Sequence, residues 1–134
     1  VIQPVIQYAR RGRYHRLEVN RGLPARKLVK YLVRDGEEWE VVPKLRAMCD
    51  FQYADLCALL PRLPVFDLVL LRNVLLYFPQ PSRSSVFQSV HRQIASGGYL
   101  VLGASEQAED STKLFQAEFV QECYFYRPVA RTQN

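Results

Sequence analysis

Residues 66–78 read FDLVLLRNVLLYF, and this stretch decides the fold. Its Leu/Val run between Asp67 and Arg72 shows no alternation of apolar and polar residues, which predicts a strand buried on both faces. Strands of this kind lie inside parallel sheets that helices cover above and below. Because ligands of open α/β sheets bind beyond the carboxyl ends of the strands, Arg72 and Asn73 form either a binding site or an ordinary strand exit.

The residues after this stretch predict a parallel crossover unit. A helix is expected over 82–95, and the pair Gly97-Gly98 is expected to end it. A second buried strand follows over 99–102, parallel to the first and joined to it by a right-handed connection. The loop at 103–106 should then lie at the same edge of the sheet as the end of the first strand.

The first third of the chain predicts two helices. The first begins near Pro4, which suits a first helical turn, and Gly12 stops it. The second runs from Pro24 to Asp35-Gly36, and its periodicity places four apolar side chains on one buried face. These four are Ala25, Leu28, Val29 and Leu32.

Further segments are predicted as β-structure. Residues 39–42 are β-prone, residues 51–53 alternate like a strand that leads to Asp55, and residues 119–127 are rich in aromatic side chains. Residues 113–119 form either a short helix or the start of a strand. Together with the crossover unit, these elements place the chain in the α/β class.

The composition fits one folded domain. The chain has 134 residues, of which 49% are hydrophobic and 23% are charged, and these proportions are typical of globular proteins. No segment has the length of a membrane span, and the first residues lack the order of a signal peptide. Because Cys49, Cys57 and Cys123 are scattered, we expect reduced thiols in a cytoplasmic protein rather than disulfides or a zinc site.

The positive charge is concentrated in the first third of the chain. Residues 1–46 hold eleven Lys/Arg and five Asp/Glu, whereas residues 47–134 hold seven and eight. This distribution suits an acidic partner, such as nucleic acid, an anionic membrane surface or an acidic protein face. The alternative is a solvated helix face. No aromatic residues are interleaved with the charges in the manner of a single-strand binder.

Motifs for nucleotide binding and for hydrolysis are absent from the sequence. It contains no G-x-G-x-x-G and no Walker loop, and neither His15 nor His91 follows a predicted strand, where a catalytic base would be expected. What remains is a rim of polar and apolar residues at three predicted strand ends, which suits a nucleoside-like ligand. The rim residues are Asp55, Leu56, Arg72, Asn73, Tyr77, Ser105 and Glu106.

Two of these rim residues have a structural alternative. Tyr77 is either a site residue or a core aromatic residue whose hydroxyl reaches water. Asp55 is either a ligand for ribose hydroxyls or a residue that caps a turn or helix. The residue types alone leave both alternatives open.

Four segments resemble the catalytic domain of CheR-type chemotaxis methyltransferases. They are ARRGRYHRLEVNRGLPARKLVKYL, FDLVLLRNVLLYF, GGYLVLGASE and the closing FYR. The likeness extends from Ala9 to Arg127, and the RNV-x-x-YF block followed by the GGYL-x-LG-x-SE block is its most specific part. Members of this family are protein-glutamate O-methyltransferases that use S-adenosylmethionine.

The resemblance implies a Rossmann-like, S-adenosylmethionine-dependent methyltransferase fold. By this resemblance, Asp55-Leu56 and Arg72-Asn73 correspond to the two residue pairs that contact the cofactor. Tyr77 corresponds to a tyrosine near the transferred methyl group. Asp55 stands where Asn is usual in the family, a change that keeps a hydrogen-bond acceptor and adds a charge.

The resemblance also implies a partial domain. Residues 1–134 match one methyltransferase domain without its first strands, its glycine-rich cofactor loop and its acidic strand end, with 34–51 as a candidate small β-subdomain. We therefore expect weak cofactor binding and no activity from this chain alone. An open sheet edge would favour a homo-oligomer or a swapped dimer. Segment 34–51 lacks the glycine-rich insertion of members that bind a receptor peptide, which argues against such tethering.

The implied function is the methylation of glutamate side chains on chemotaxis receptors. The partners would be the cytoplasmic helices of those receptors, with no nucleic acid and no insertion into a membrane. Two alternatives stay open. One is a methyltransferase of the same fold with another substrate, and the other is a non-catalytic remnant that only binds receptors.

Overall fold

The structure, a computed structural model, describes residues 2–58, 63–108 and 113–130. A short link expected at 57–60 and a loop expected at 61–64 fall partly outside these ranges. The chain divides into two compact units, and each unit is described by itself below. Their bounds are Val1–Tyr53 and Ala54–Asn134.

The first unit combines short helices with a three-stranded sheet. Its elements are α1 (Ile2–Arg11), β1 (Arg13–His15), α2 (Arg16–Val19), α3 (Ala25–Tyr31), β2 (Leu32–Asp35), β3 (Glu38–Val41) and α4 (Pro43–Arg46). The sheet is antiparallel with the strand order β1-β3-β2. Its core consists of Val19, Leu28 and Leu32, against which Tyr14, Tyr31, Trp39 and Val41 pack.

The predictions for the first helix and for the strand at 39–42 are confirmed. Pro4 lies in the first turn of α1, and α1 ends immediately before Gly12, whose φ of 64° suits a helix end. Strand β3 covers nearly the predicted segment. Gly12 is constrained a second time, since a Cβ there would lie 3.1 Å from the Cδ of Arg46.

The predicted end of the second helix is wrong. Helix α3 ends at Tyr31, and residues 32–35 pair with β3 as strand β2, so Gly36, with a φ of 59°, turns a hairpin rather than a helix end. Cross-strand hydrogen bonds therefore replace helical ones in this segment. The predicted burial is correct for Leu28 and Leu32 but wrong for Ala25 and Val29, which are exposed.

The second unit holds a four-stranded mixed sheet. Its elements are β4 (Phe66–Leu71), a 3₁₀ turn (Leu75–Tyr77), α5 (Gln80–Gln93), β5 (Ile94–Leu102), β6 (Phe115–Val120) and β7 (Cys123–Pro128). The strand order is β4-β5-β7-β6, with β4 parallel to β5 and the other neighbours antiparallel. The α/β class and the parallel pair joined through a helix are therefore confirmed.

Strand β4 is not buried on both faces, contrary to the prediction. It lies at the edge of the sheet, and within the described ranges β5 is the only strand that pairs with it. Leu71 packs into the core beside the α5 side chains, but Leu68 and Leu70 are 53% and 65% exposed. The apolar run has the composition of a doubly covered strand, while the described chain covers only one of its faces.

The prediction that the glycine pair ends the crossover helix is wrong. Helix α5 ends at Gln93, and Gly97 and Gly98 both lie within β5. A Cβ at residue 98 would lie 2.7 Å from the carbonyl oxygen of Asp67, a distance that real Cβ atoms do not show. Gly98 thus permits a close approach of the two parallel strands, which is a different use of glycine.

The remaining β-predictions are partly confirmed. Residues 51–53 form no strand, so Asp55 does not follow a strand end as predicted. The ambiguous segment at 113–119 contains the start of β6, and the β-prone segment at 119–127 contains the β6–β7 turn. Gln121 and Glu122 form that turn with φ values of 48° and 64°, which is the geometry of a tight hairpin.

Candidate functional site

The chain makes a sharp turn directly after β4. Asn73 has a φ of 58°, in the left-handed region that asparagine tolerates better than most residues. The 3₁₀ turn follows. In it, the Tyr77 N–H donates a hydrogen bond to the carbonyl oxygen of Val74, and the Phe78 N–H donates one to that of Leu75. Leu75 is buried in the core and anchors the turn.

Glu106 holds this turn from the loop that follows β5. Its side chain is only 6% exposed, and its two oxygens accept four backbone N–H groups. Oε2 accepts from Asn73 at 2.6 Å and from Gly103 at 2.8 Å, and Oε1 accepts from Val74 at 2.8 Å and from Leu75 at 2.7 Å. One carboxylate therefore ties together the carboxyl ends of the two parallel strands.

The surroundings of Glu106 keep it ionised. Burial by itself raises the pKa of the Glu106 carboxyl, but the backbone N–H groups of Gly103, Asn73, Leu75 and Val74 favour the carboxylate, so that the pKa lies below its usual value. The sequence placed Glu106 on the rim as a possible ligand group. The structure makes it an internal acceptor instead. An acidic residue three positions after a glycine that directly follows a strand was the only sign of this role in the sequence.

Tyr77 is a surface residue, so its alternative as a core aromatic residue is wrong. It is 83% exposed at the end of the 3₁₀ turn. Arg72 and Asn73 are also exposed, at the start of the same turn. Arg72, Asn73 and Tyr77 thus lie exposed on one short segment, and the Glu106 carboxylate holds the backbone of that segment.

A cavity of about 390 Å³ lies beside this segment. Arg72 lines it, together with the loop that contains Gly103 and Glu106 and the hairpin turn around Glu122. The aromatic residues of β7 supply much of its remaining wall. The cavity therefore offers a cation and an aromatic surface at the carboxyl end of the parallel strands.

Asp55 and Leu56 lie in a different environment. The Asp55 Oδ1 accepts the backbone N–H of Cys57 at 2.9 Å, so Asp55 caps a turn, as its structural alternative predicted. Leu56 packs against the core of the second unit and lines an apolar groove of about 310 Å³ with Leu63, Leu68 and other residues. This groove and the cavity beside Arg72 have different lining residues, and the cofactor role of Asp55 and Leu56 stays a prediction.

The remaining chemistry of the described residues is limited. They contain no group of three or more His, Cys, Asp or Glu side chains that could hold a metal ion. Cys49, Cys57 and Cys123 are exposed and free. A search of the same part of the chain finds no helix with the length and apolar character that a membrane span requires.

A family model decides what this arrangement belongs to. The model of the CheR methyltransferase, SAM binding domain, matches residues 3–124. The chain belongs to the CheR methyltransferase family. The resemblance seen in the sequence, the Rossmann-like methyltransferase fold and S-adenosylmethionine as the cofactor of this CheR domain are thereby confirmed.

Curated relatives agree with this assignment. Chemotaxis protein methyltransferase 1 of Pseudomonas aeruginosa is 36% identical over 99 residues, which are 73% of this chain and 36% of the relative. Chemotaxis protein methyltransferase Cher2 of Pseudomonas putida is 36% identical over 96 residues, with 71% and 35% covered. Chemotaxis protein methyltransferase 1 of Vibrio cholerae is 31% identical over 113 residues, with 84% and 41% covered. The matched segments thus cover well under half the length of each relative.

Proposed function

We propose that this CheR chain carries the methyl-transfer site of a protein-glutamate O-methyltransferase that modifies chemotaxis receptors. The observation that carries the proposal is the exposed Tyr77, on a turn held by Glu106 at the carboxyl end of β4, in a chain of the CheR family. The names of the relatives support the class of substrate, since each is a chemotaxis protein methyltransferase.

Asp55, Leu56, Arg72 and Asn73 are proposed to hold S-adenosylmethionine. Leu56 offers apolar surface and Asn73 an amide, and these are groups that can bracket an adenine. The carboxylate of Asp55 suits the ribose hydroxyls, and the exposed guanidinium of Arg72 suits polar groups of the ligand. When bound, the cofactor would supply a methyl group on a sulfonium sulfur, and this sulfur would leave as the neutral thioether of S-adenosylhomocysteine.

Tyr77 is proposed to position the acceptor glutamate. A free glutamate has a pKa of about 4.3 and is ionised at pH 7, so the reaction needs no general base. The protein must then align the reacting atoms and exclude water. The Tyr77 hydroxyl would donate a hydrogen bond to one carboxylate oxygen, which leaves the other oxygen free to bond to the methyl carbon.

The acidic faces of receptor helices are proposed to bind the basic first unit. Some of its cations are neutralised internally, as in the ion pairs from Arg13 to Asp35 at 2.6 Å and from Arg46 to Glu40 at 3.0 Å. Helix α3 instead exposes three cations in seven residues, and they would draw an acidic surface toward this unit. These cations are Arg26, Lys27 and Lys30.

Association of this chain with itself is a further part of the proposal. Strand β4 has one sheet partner in the described ranges, and Leu68 and Leu70 are exposed on it. Open apolar edges favour strand-to-strand pairing between chains. A homo-oligomer or a swapped dimer of this chain is the expected result.

We also propose one partial methyltransferase domain over residues 1–134, with a small β-subdomain at 34–51, and a cytoplasmic location. The β2–β3 hairpin supports the subdomain, because its second strand lies within that range. The three exposed free thiols support a reducing compartment.

Calorimetric titration with S-adenosylhomocysteine tests the cofactor part of the proposal. It compares this chain with the longer polypeptide of which, by our proposal, residues 1–134 are one part. We call that longer chain the native polypeptide. We expect clear binding by the native polypeptide and only weak binding by residues 1–134 alone. Micromolar binding by residues 1–134 would contradict the expectation that these residues hold the cofactor incompletely.

A methyl-transfer assay tests the substrate. The native polypeptide and labelled S-adenosylmethionine are offered receptor cytoplasmic fragments, RNA and small carboxylic acids. We expect label on receptor glutamates alone. Label on RNA or on small acids would overturn the proposed substrate. Receptor capture without any cofactor binding would identify a non-catalytic receptor-binding protein instead.

A further inference from the structure

We infer that Glu106 is a positioning residue for methyl transfer: its buried carboxylate fixes the turn that presents Arg72, Asn73 and Tyr77. This inference rests on the proposed function for its consequence in the reaction, but the contacts that motivate it are independent of any ligand. Glu106 itself is buried and is directed at backbone N–H groups rather than at the surface.

The hydrogen bonds of Glu106 have an unusual distribution. Both carboxylate oxygens accept two backbone donors each, and three of the four donors belong to consecutive residues, Asn73 to Leu75. The fourth donor, Gly103, directly follows β5. A single side chain thus satisfies the free N–H groups at the start of the 3₁₀ turn and links them to the neighbouring strand.

The conformation of Asn73 explains why the turn needs these four hydrogen bonds, which we call the Glu106 clamp. A left-handed, non-glycine residue is less stable than an extended or helical one, and it persists only where the surroundings enforce it. Asn73 lies one residue after Arg72 and four residues before Tyr77. If the clamp is lost and Asn73 relaxes to a negative φ, the directions of Arg72 and Tyr77 change together.

The chemistry of the site requires a carboxylate of this length. A glutamine has the same shape, but its NH₂ group would face two backbone N–H donors in place of one accepting oxygen. Two of the four hydrogen bonds would then become donor-to-donor contacts. Glu106→Gln is therefore a nearly isosteric test of the clamp.

The test compares Glu106→Gln with Val86→Ala in the native polypeptide. Val86 is fully buried in the core of the second unit and takes no part in the hydrogen bonds of Glu106, and its truncation supplies a matched loss of thermal stability. At a temperature where both variants are folded, we expect Glu106→Gln to lower kcat about 100-fold, the cost of slight misplacement of reacting groups. Its affinity for S-adenosylhomocysteine should also fall, while Val86→Ala keeps the wild-type kcat and affinity.

Hydrogen exchange supplies a readout that needs neither cofactor nor substrate. The amides of Asn73, Val74, Leu75 and Gly103 should be protected in the wild type and in Val86→Ala, and should lose protection in Glu106→Gln. Equal protection in both variants, or kinetics of Glu106→Gln that match those of Val86→Ala, would overturn the inference. If the wild type fails to bind S-adenosylhomocysteine, the proposed function fails, and hydrogen exchange still decides whether Glu106 is the clamp.

Discussion

Gly103 and Asn73 meet so closely that residue 103 has no room for a side chain. A Cβ at residue 103 would overlap the Oδ1 of Asn73 and lie 2.7 Å from the Oε2 of Glu106. The φ of Gly103 is not in the left-handed region, so the constraint is space rather than backbone conformation. The two loops at the ends of β4 and β5 are therefore packed against each other as well as hydrogen-bonded.

Gly103→Ala should destabilise the second unit. The added methyl group must displace the Asn73 side chain or the Glu106 carboxylate, and overpacking of this kind costs about 1–3 kcal/mol. Gly97→Ala is the control, because a Cβ at residue 97 has no neighbour within 4 Å and the residue also lies in β5. Urea unfolding of both variants measures the difference, and equal stabilities would show that the loops adjust freely.

Tyr77→Phe should lower turnover and leave the affinity for S-adenosylhomocysteine unchanged. The substitution removes only the hydroxyl that is proposed to position the acceptor carboxylate. Because the side chain is 83% exposed, the free energy of unfolding should change by less than about 0.5 kcal/mol. Methyl-transfer kinetics and calorimetry on the native polypeptide provide the measurement. Equal losses of turnover and affinity would count against this role.

The stability of the second unit should depend on pH through Glu106. Its pKa is lower in the folded than in the unfolded chain, so its stabilising contribution is present above the usual glutamate pKa of about 4.3 and is lost as the pH falls through the folded pKa. Glu106→Gln should therefore be less stable at pH 7 and should lose less stability on acidification.

Urea unfolding between about pH 2.5 and about pH 7 measures this dependence, because that range spans the usual glutamate pKa of about 4.3. In the acidic part of this range, one proton changes the slope of the free energy of unfolding against pH by at most about 1.4 kcal/mol per pH unit. Two other carboxyls also have lowered pKa values. Glu18 accepts a hydrogen bond from Tyr8, and Glu118 accepts one from Arg127. These are present in both proteins, so the difference between the two curves reports Glu106. Parallel curves would contradict the role of its carboxylate.

Leu70→Lys should reduce self-association of the chain without loss of stability. Leu70 is exposed on the edge strand β4, and a lysine there hinders strand-to-strand pairing. Val29→Lys is the matched control, since Val29 is exposed to a similar degree but lies on helix α3. Sedimentation velocity of residues 1–134 measures the association. An unchanged sedimentation coefficient in Leu70→Lys would exclude this edge as the contact.

Local patterns predicted the elements that depend on local interactions. The first helix was anticipated from Pro4 and Gly12, the crossover helix from its apolar period, and the two strands that it joins from their apolar runs. The errors occur where pairing with a distant segment decided the result. Residues 32–35 continue a helical period but pair with β3, and Gly98 lies in a strand because β4 passes directly beside it.

The candidate site shows the same division. Arg72, Asn73 and Tyr77 could be selected from the sequence because they follow an apolar run and match a family motif. Asp55 and Leu56 were assigned to the same rim through a predicted strand at 51–53, and that strand does not form. Alternation over three residues does not determine a pairing partner, and the chain continues from this segment into a turn capped by the Asp55 carboxylate.

The sequence by itself determined the α/β class, the family and the segment that carries the candidate site, since these depend on composition and short motifs. The tertiary structure alone decided that Glu106 is an internal acceptor rather than a rim ligand. Glu106 and Asn73 are 33 positions apart, and only the parallel pairing of β4 and β5 brings the carboxylate within 2.6 Å of that backbone N–H. The physical reason is that a buried carboxylate is stable only where several donors converge, and the fold creates that convergence.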